Sequence, residues 1–314
     1  MIDTLIVPNS VKTIADRAFC RCSDIKRIIL PESVEYIGWE AFAYCTGLEK
    51  IEASDHLQTV KYDAFLDVPD NAFNRWEGGL YLGNESHPYH CFIKPAKAAK
   101  TVRISRDTKI FMEHSLLCDE SLAEVFIPPE IKAISVPINA EKIKVYDSFP
   151  DIRELKPEGL DYCTEITVIS EETNQVKYII PLYCDGSFQM HELLERSWRP
   201  DNTFNYEELD GYFEDIGRSD IKTKIALSRI RNPFDLNESA RNKYREHILK
   251  SSRQIIKKCI EDNDLELLSL LGSKNLIKKS AVKPMIALAS EQGRISVTAY
   301  LLDYNNRIVS ERAD

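Results

Sequence analysis

Two short stretches bring together residue types that could do chemistry. Cys184, Asp185 and His191 place a thiol, a carboxylate and an imidazole close in the chain. A cysteine nucleophile needs its imidazole within hydrogen-bond reach and a stabilised thiolate. The spacing here supplies neither. His87, His90 and Cys91 offer nitrogen and sulfur ligands of the kind zinc takes. His90 and Cys91 are adjacent on a strand-like segment, however, so their side chains point to opposite faces. The reading for this stretch is a polar hairpin tip. Glu207, Glu208, Asp210, Glu214 and Asp215 crowd one helix-like stretch. The oxygen-ligand spacing of a calcium loop is absent, which leaves a solvated helix face. The chain has no P-loop, no Gly-rich dinucleotide loop and no His-Glu-x-x-His. It also lacks a Gly-x-Ser-x-Gly elbow. These readings predict a chain that is not an enzyme and holds no metal or cofactor.

Side chains suited to contact are more prominent. Tyr36, Trp39, Tyr44 and Tyr62 fall outside the periodic apolar positions described below, and Trp and Tyr are enriched at binding hot spots. Lys94, Lys97, Lys100, Arg103, Arg106 and Lys109 recur at every third position. Such a run reads first as a solvated face. The residues predicted to touch a partner are Tyr36, Trp39, Tyr44, Tyr62, Lys97, Lys100 and Arg103. Net charge is −9, with acidic groups in both halves, so a nucleic-acid or anionic-membrane footprint is not expected. No apolar run approaches the ~20 residues that span a bilayer.

The elements that position these side chains come from an internal repeat. Pro31–Ile51 slides back 23 residues onto Pro8–Ile28 without a gap. Ser10 meets Ser33, Val11 meets Val34, Ile14 meets Ile37, Phe19 meets Phe42 and Cys22 meets Cys45. Repeats of this length make solenoids, because one unit cannot bury its apolar face alone. Ile28-Ile29-Leu30 reads as a buried strand, ended by Pro31, which has no amide proton for a ladder. Ala41-Phe42, Cys45 and Leu48 form a second wall, predicted as a short helical or 3₁₀ turn. Phe19, Phe42 and Phe65 should stack as a column, with Cys22 and Cys45 as buried free thiols beside it. A continuous sheet should run along one side.

The motifs Pro-x-Ser-Val-x-x-Ile, Ala-Phe-x-x-Cys and x-x-Leu-x-x-Ile resemble the BspA-like leucine-rich repeats of many bacterial surface proteins. A third copy holds Leu57, Val60, Ala64 and Phe65, with Val68 in place of the cysteine. A fourth runs through Thr108, Phe111, Ser115, Leu116, Leu122, Val125 and Pro128. A partial fifth keeps Pro128, Ile131 and Ile134, and the pattern dissolves near Ile143–Tyr146. The resemblance implies protein recognition, adhesion or contact with a host or cell surface. It also implies a secreted or surface setting, although Met1–Pro8 begins in mid-repeat and lacks a signal-peptide pattern. Gly78–Glu85 and Tyr89–Ile93 read as a hairpin inserted into the solenoid. Glu165–Ile169 and Val176–Ile180 read as a second hairpin that closes it.

From Ser187 the apolar period becomes helical. Asn205 is the expected N-cap of a helix, with Glu208 at the capping-box position. Asn237 or Ser239 opens the longest helix, running to Ile260. Ser280 is the expected cap of a helix with Pro284 in its first turn. Ala287–Leu302 resembles the second half of an ankyrin-type unit. The fold class is therefore α+β. A leucine-rich repeat solenoid (1–150) leads through a hairpin cap or connector (151–186) to an all-α domain (187–314). Two functions follow. One is a non-catalytic module that binds a protein partner through the solenoid. The other is an enzyme or regulatory protein whose active part is the helical domain, with the solenoid as a targeting arm.

Overall fold

The computed structural model describes residues 3–117, 122–155, 161–201 and 203–310, so Cys118 lies outside the described residues. Each early coil contributes two short strands. These are β1 (Thr4–Ile6), β2 (Thr13–Ile14), β3 (Arg27–Ile29), β4 (Tyr36–Ile37), β5 (Lys50–Glu52) and β6 (Thr59–Val60). β1-β3-β5 form one parallel sheet and β2-β4-β6 another. Leu5 pairs with Ile28, and Ile28 with Ile51. Ile14 pairs with Ile37, and Ile37 with Val60. The 23-residue repeat is thus the register of both sheets, and like side chains lie over like. Ile28, Val34, Ile37, Phe42, Cys45 and Leu48 are buried.

The second wall is not helical. Arg17 and Arg21, Glu40 and Tyr44, and Asp63 and Asp67 have φ between 50° and 64°. A left-handed residue at every fourth position stops a helix from propagating, so the wall is a run of β-turns. Each such non-glycine residue costs about 1–2 kcal/mol. Bonds between coils offset that cost. Phe19 N–H donates to Ala41 O and Phe42 N–H to Ala64 O, both at 2.8 Å, and Tyr44 N–H donates to Leu66 O at 2.7 Å. The rings of Phe19 and Phe42 stack at 5.4 Å, and those of Phe42 and Phe65 at 5.5 Å. Phe73 closes the column edge-on at 5.5 Å. Cys45 is buried, whereas Cys22 in the preceding coil is half-exposed.

The predicted hairpin is present. β7 (Asn74–Trp76), β8 (Gly79–Leu82) and β9 (Cys91–Pro95) are antiparallel neighbours. Gly78 has φ +85°, and a Cβ there would meet Thr101 O at 2.1 Å, so only glycine fits. The coil resumes with β10 (Thr101–Arg103), β11 (Ile110–Phe111) and β12 (Leu122–Phe126). β11 pairs in parallel with β9. The insertion divides the expected continuous sheet into β1-β3-β5 and a five-stranded sheet. The latter is β10-β12-β13-β14-β15, ending in β13 (Ala140–Tyr146), β14 (Asp161–Ile169) and β15 (Val176–Asp185).

Nor does the coil dissolve at Ile143–Tyr146. β13 pairs in parallel with both β12 and β14, and Ile143 meets Ile166, again 23 residues on. Only the corner motif is lost; the alternation of buried Ile143 and Val145 keeps the strand. The β-solenoid has about seven turns.

The chain divides into two compact units. One is Met1–Leu182 with Trp198–Phe204; the other is Tyr183–Ser197 with Asn205–Asp314. The helices are α1 (Phe188–Arg196), α2 (Tyr206–Tyr212), α3 (Ser219–Arg231), α4 (Glu238–Lys250), α5 (Ser252–Glu261), α6 (Leu265–Ser273), α7 (Lys279–Glu291) and α8 (Ile295–Ser310). Asn205 stands at the N-cap of α2 without a side-chain capping bond. Its expected capping-box partner Glu208 pairs with Arg196 at 3.4 Å instead. Asn237 does cap α4, accepting from Ala240 N–H at 2.9 Å. The predicted long helix breaks at Ser251 into α4 and α5. The cap position of α7 is Lys278, not Ser280, and Pro284 lies inside the helix. The amide bond it cannot make falls on the Ser280 carbonyl. α5–α6 and α7–α8 form two hairpins with one geometry thirty residues apart. Asn263 and Gly293 both have positive φ. Asp264 N–H donates to Cys259 O at 2.8 Å, and Arg294 N–H to Ala289 O at 2.9 Å.

Candidate interaction surface

The turn after the second strand of each coil projects one side chain outward. In register these are Asp16, Trp39 and Tyr62. Because the coils stack, the side chains form a ladder. The Arg17 guanidinium lies 4.0 Å from the Trp39 ring centre. Trp39 and Tyr62 are 6.0 Å apart, and Tyr62 and His114 are 5.5 Å apart. Asp16 Oδ1 accepts from the Trp39 backbone N–H at 2.9 Å and fixes that rung. Tyr36 stands in the row Thr13–Tyr36–Thr59 on the preceding strand. Tyr62 is 40% exposed, while Tyr36 and Trp39 are half-buried. Lateral packing therefore takes the ring faces and leaves edges outward. Tyr44 belongs to another row, where Arg21 lies 5.4 Å from its ring. His114 belongs with the ladder although its sequence position gives no hint. It enters only because the hairpin insertion brings Glu113 and His114 beside Val60 and Tyr62.

Cations on this face are already paired. Arg17 Nε meets Glu40 Oε2 at 2.7 Å, Lys61 Nζ meets Glu113 Oε1 at 2.5 Å, and Lys12 meets Glu35 at 3.7 Å. Among the described residues Asp16 and Asp63 make no ion pair. The basic run is also largely compensated. Arg103 pairs with Glu77 at 3.2 Å and lies over Phe126 at 4.7 Å. Lys94 approaches Asp70 and Arg106 approaches Glu130, both at 3.9 Å. Lys97, Lys100 and Arg103 are exposed. The ladder and this run are separate features of the solenoid.

The stretches with chemical potential do not assemble. His87 Nδ1 meets Asp55 Oδ2 at 2.5 Å, whereas His90 is buried with Nε2 on Leu57 O at 3.1 Å. Cys91 is fully buried, and burial pushes its thiol far up. No cluster of metal-ligand side chains is present among the described residues. Cys184 is buried with its thiol near Ser187 O at 3.8 Å, and His191 Nδ1 has no hydrogen-bond partner. Asp185 lies outside the described side chains. Burial pushes the Cys45 thiol up to about 11 and the Cys259 thiol up to about 12. A raised pKa disfavours the nucleophilic thiolate.

One carboxylate departs from the solvated face expected for its segment. Asp210 is 4% exposed and holds the fully buried Arg229 by two bonds of 2.9 Å. Tyr244 Oη donates to Asp210 at 2.5 Å, and Arg229 also lies 4.2 Å over the Tyr206 ring. Burial alone would lower the Arg229 pKa, but the bonds to Asp210 outweigh it and the net shift is upward. Asp210 lies four residues after Tyr206 and three before Phe213, which places it on the inward stripe. Glu207, Glu208, Glu214 and Asp215 do face solvent. The same unit has an apolar groove of about 430 Å³ between α3, α5 and α6, floored by Leu227, Ile255, Cys259 and Leu267.

Residues 1–72 match the model of the BspA type leucine-rich repeat region, in six copies. Residues 1–72 of the solenoid therefore carry BspA-type leucine-rich repeats. A solved leucine-rich repeat protein of T. pallidum is 21% identical, covering 49% of this chain and 67% of that chain, with a TM-score of 0.28. No curated protein matches the sequence. The repeat family suggests protein–protein interaction or adhesion. No helix among the described residues is long and apolar enough to cross a membrane.

Proposed function

We propose that this chain is a non-catalytic protein-binding or adhesion module, and that its contact surface is centred on the ladder of Trp39 and Tyr62, with Tyr36 in the row beside it. The observation that carries this reading is the ladder itself. The coil would stack on Phe19, Phe42 and Phe65 without outward aromatics, so rings at 36, 39 and 62 are surplus to the core. Amphipathic rings at a rigid face supply contact area at low entropic cost. Tyr44, Lys97, Lys100 and Arg103 extend the contact region along the solenoid. The partner class is a protein, including a host or cell-surface protein. The domain plan that goes with this is a solenoid over 1–150, a closing hairpin segment over 151–186 and a helical domain over 187–314. The competing reading, an active helical domain, has the apolar groove as its candidate cavity. Its one thiol, Cys259, is held protonated by burial, which counts against nucleophilic chemistry there.

The test is capture of partners by the full chain and by a Trp39→Ser, Tyr62→Ser double variant of unchanged circular dichroism. The reading expects the same partner to be depleted on the variant by at least about tenfold, the scale of hot-spot loss. Equal capture would refute the placement of the surface.

A further inference from the structure

We infer that the ladder receives an arginine-bearing basic segment of a protein partner. This rests on the ladder being the contact surface, as argued above, and adds the chemistry of what covers it.

The first support is a pattern within the molecule. Trp39 is followed by Glu40, and one arginine serves both, with its guanidinium 4.0 Å from the indole and its Nε 2.7 Å from the carboxylate. One coil on, in the same register, Tyr62 is followed by Asp63. This is again a ring and then a carboxylate in the left-handed turn position, at φ 50° for Glu40 and 56° for Asp63. Here no cation pairs with the carboxylate among the described residues, and Tyr62 is 40% exposed. Trp39 and His114 flank the ring, so a guanidinium would donate to the exposed Tyr62 hydroxyl oxygen while also donating to Asp63. Arginine suits this better than lysine, because its planar fork binds the Asp63 carboxylate bidentately and still has an N–H left to donate to the Tyr62 hydroxyl.

The second support is charge. The face holds Lys12, Arg17 and Lys61 against Asp16, Glu35, Glu40, Asp63 and Glu113. Each cation is already paired, so the surplus is negative and sits at Asp16 and Asp63. The whole imbalance of the chain lies in this part. Residues 1–182 contain 29 acidic and 20 basic residues, while residues 183–314 contain 21 of each. Acidic residues are equally dense in the two parts, and the imbalance arises because basic residues are sparser in residues 1–182. A basic partner is attracted at long range and then held locally.

The probe is a labelled peptide of alternating glycine and arginine, compared with lysine and glutamate peptides of equal length, titrated into the full chain by fluorescence anisotropy. The arginine peptide should bind at least threefold tighter than the lysine peptide, and the glutamate peptide should not bind. Asp63→Asn and Tyr62→Ser should each weaken arginine-peptide binding about tenfold. Both variants should fold, since asparagine tolerates the left-handed turn and Tyr62 is outside the core. Asp63→Glu should restore binding, because Glu40 shows that a glutamate fits this position. Glu172→Gln, an equal charge change in the closing hairpin segment of the same unit, should stay within twofold. Equal weakening by Glu172→Gln and Asp63→Asn would reduce the effect to net charge and overturn the inference, as would equal binding of the lysine or glutamate peptide. Capture of a non-basic partner through Trp39 and Tyr62 would also overturn it, and would leave the contact-surface reading standing.

Discussion

Replacing Phe42 with alanine should cost the solenoid about 3–5 kcal/mol. The magnitude follows from where the ring sits. Phe42 is fully buried, with one neighbour stacked on each face at 5.4 and 5.5 Å. Truncation removes the transfer energy of an entire aromatic side chain, roughly 2–3 kcal/mol. It also removes two ring contacts of roughly 0.5–1.5 kcal/mol each. The cavity cannot collapse, because cross-coil bonds from Phe19 and Arg21 on one side and from Phe42 and Tyr44 on the other hold the backbone spacing. Phe19 is the internal control. It is half-exposed and stacked on one face only, so Phe19→Ala should cost about 2 kcal/mol. Urea unfolding followed by tryptophan fluorescence and by far-ultraviolet circular dichroism measures both. A loss under about 1 kcal/mol for Phe42→Ala, or one no larger than for Phe19→Ala, would refute the column as the core of the coil.

Other expectations are narrower. Asp210→Ala should cost about 3–5 kcal/mol, because it leaves the Arg229 charge buried and uncompensated; thermal unfolding should show it, with Tyr244→Phe costing about 1–3 kcal/mol. At pH 8 the Cys45 thiol, pushed up to about 11, is ionised in roughly one molecule in a thousand, so it should resist thiol reagents until the chain unfolds. Half-exposed Cys20 and Cys22 should react in the native state. Burial, and then the nearby Lys222 ammonium, hold the His247 imidazole below its ordinary 6.5. Glu214 opposes that shift and Lys250 reinforces it. Stability from this group is complete above pH 6.5 and is lost as the pH falls through the lowered folded value, because the unfolded imidazole protonates first. His247→Gln should flatten that part of the stability curve.

Much of this fold was legible in the sequence because the repeat has one period and no gap. Equivalence of Phe19, Phe42 and Phe65 in the chain becomes contact when coils stack in register, and the residue types alone predict which side chains are inside. Two things were less legible. The turns of the second wall depend on left-handed arginine, glutamate and aspartate residues, which nothing in their types marks; neighbouring coils impose that conformation through hydrogen bonds. The continuation through β13 and β14 was hidden because the Pro-Ser-Val and Ala-Phe corners disappear while the strand alternation persists. In the helical unit, Asp210 reads as one more surface carboxylate until Arg229 and Tyr244, both distant in sequence, close over it. For the candidate surface, Tyr36, Trp39 and Tyr62 stood out as rings off the core period. Asp16, Asp63 and His114 did not, because their roles come from rows across coils.

Hydrogen exchange of the full chain, with and without a captured partner, tests the central claim most directly. If the solenoid ladder is the contact surface, new protection should appear at residues 36–40, 59–63 and 110–114, where backbone amides lie beside Trp39, Tyr62 and His114. The groove residues 219–227 and 254–267 should exchange as before. Protection confined to that groove, with the ladder unchanged, would contradict the account.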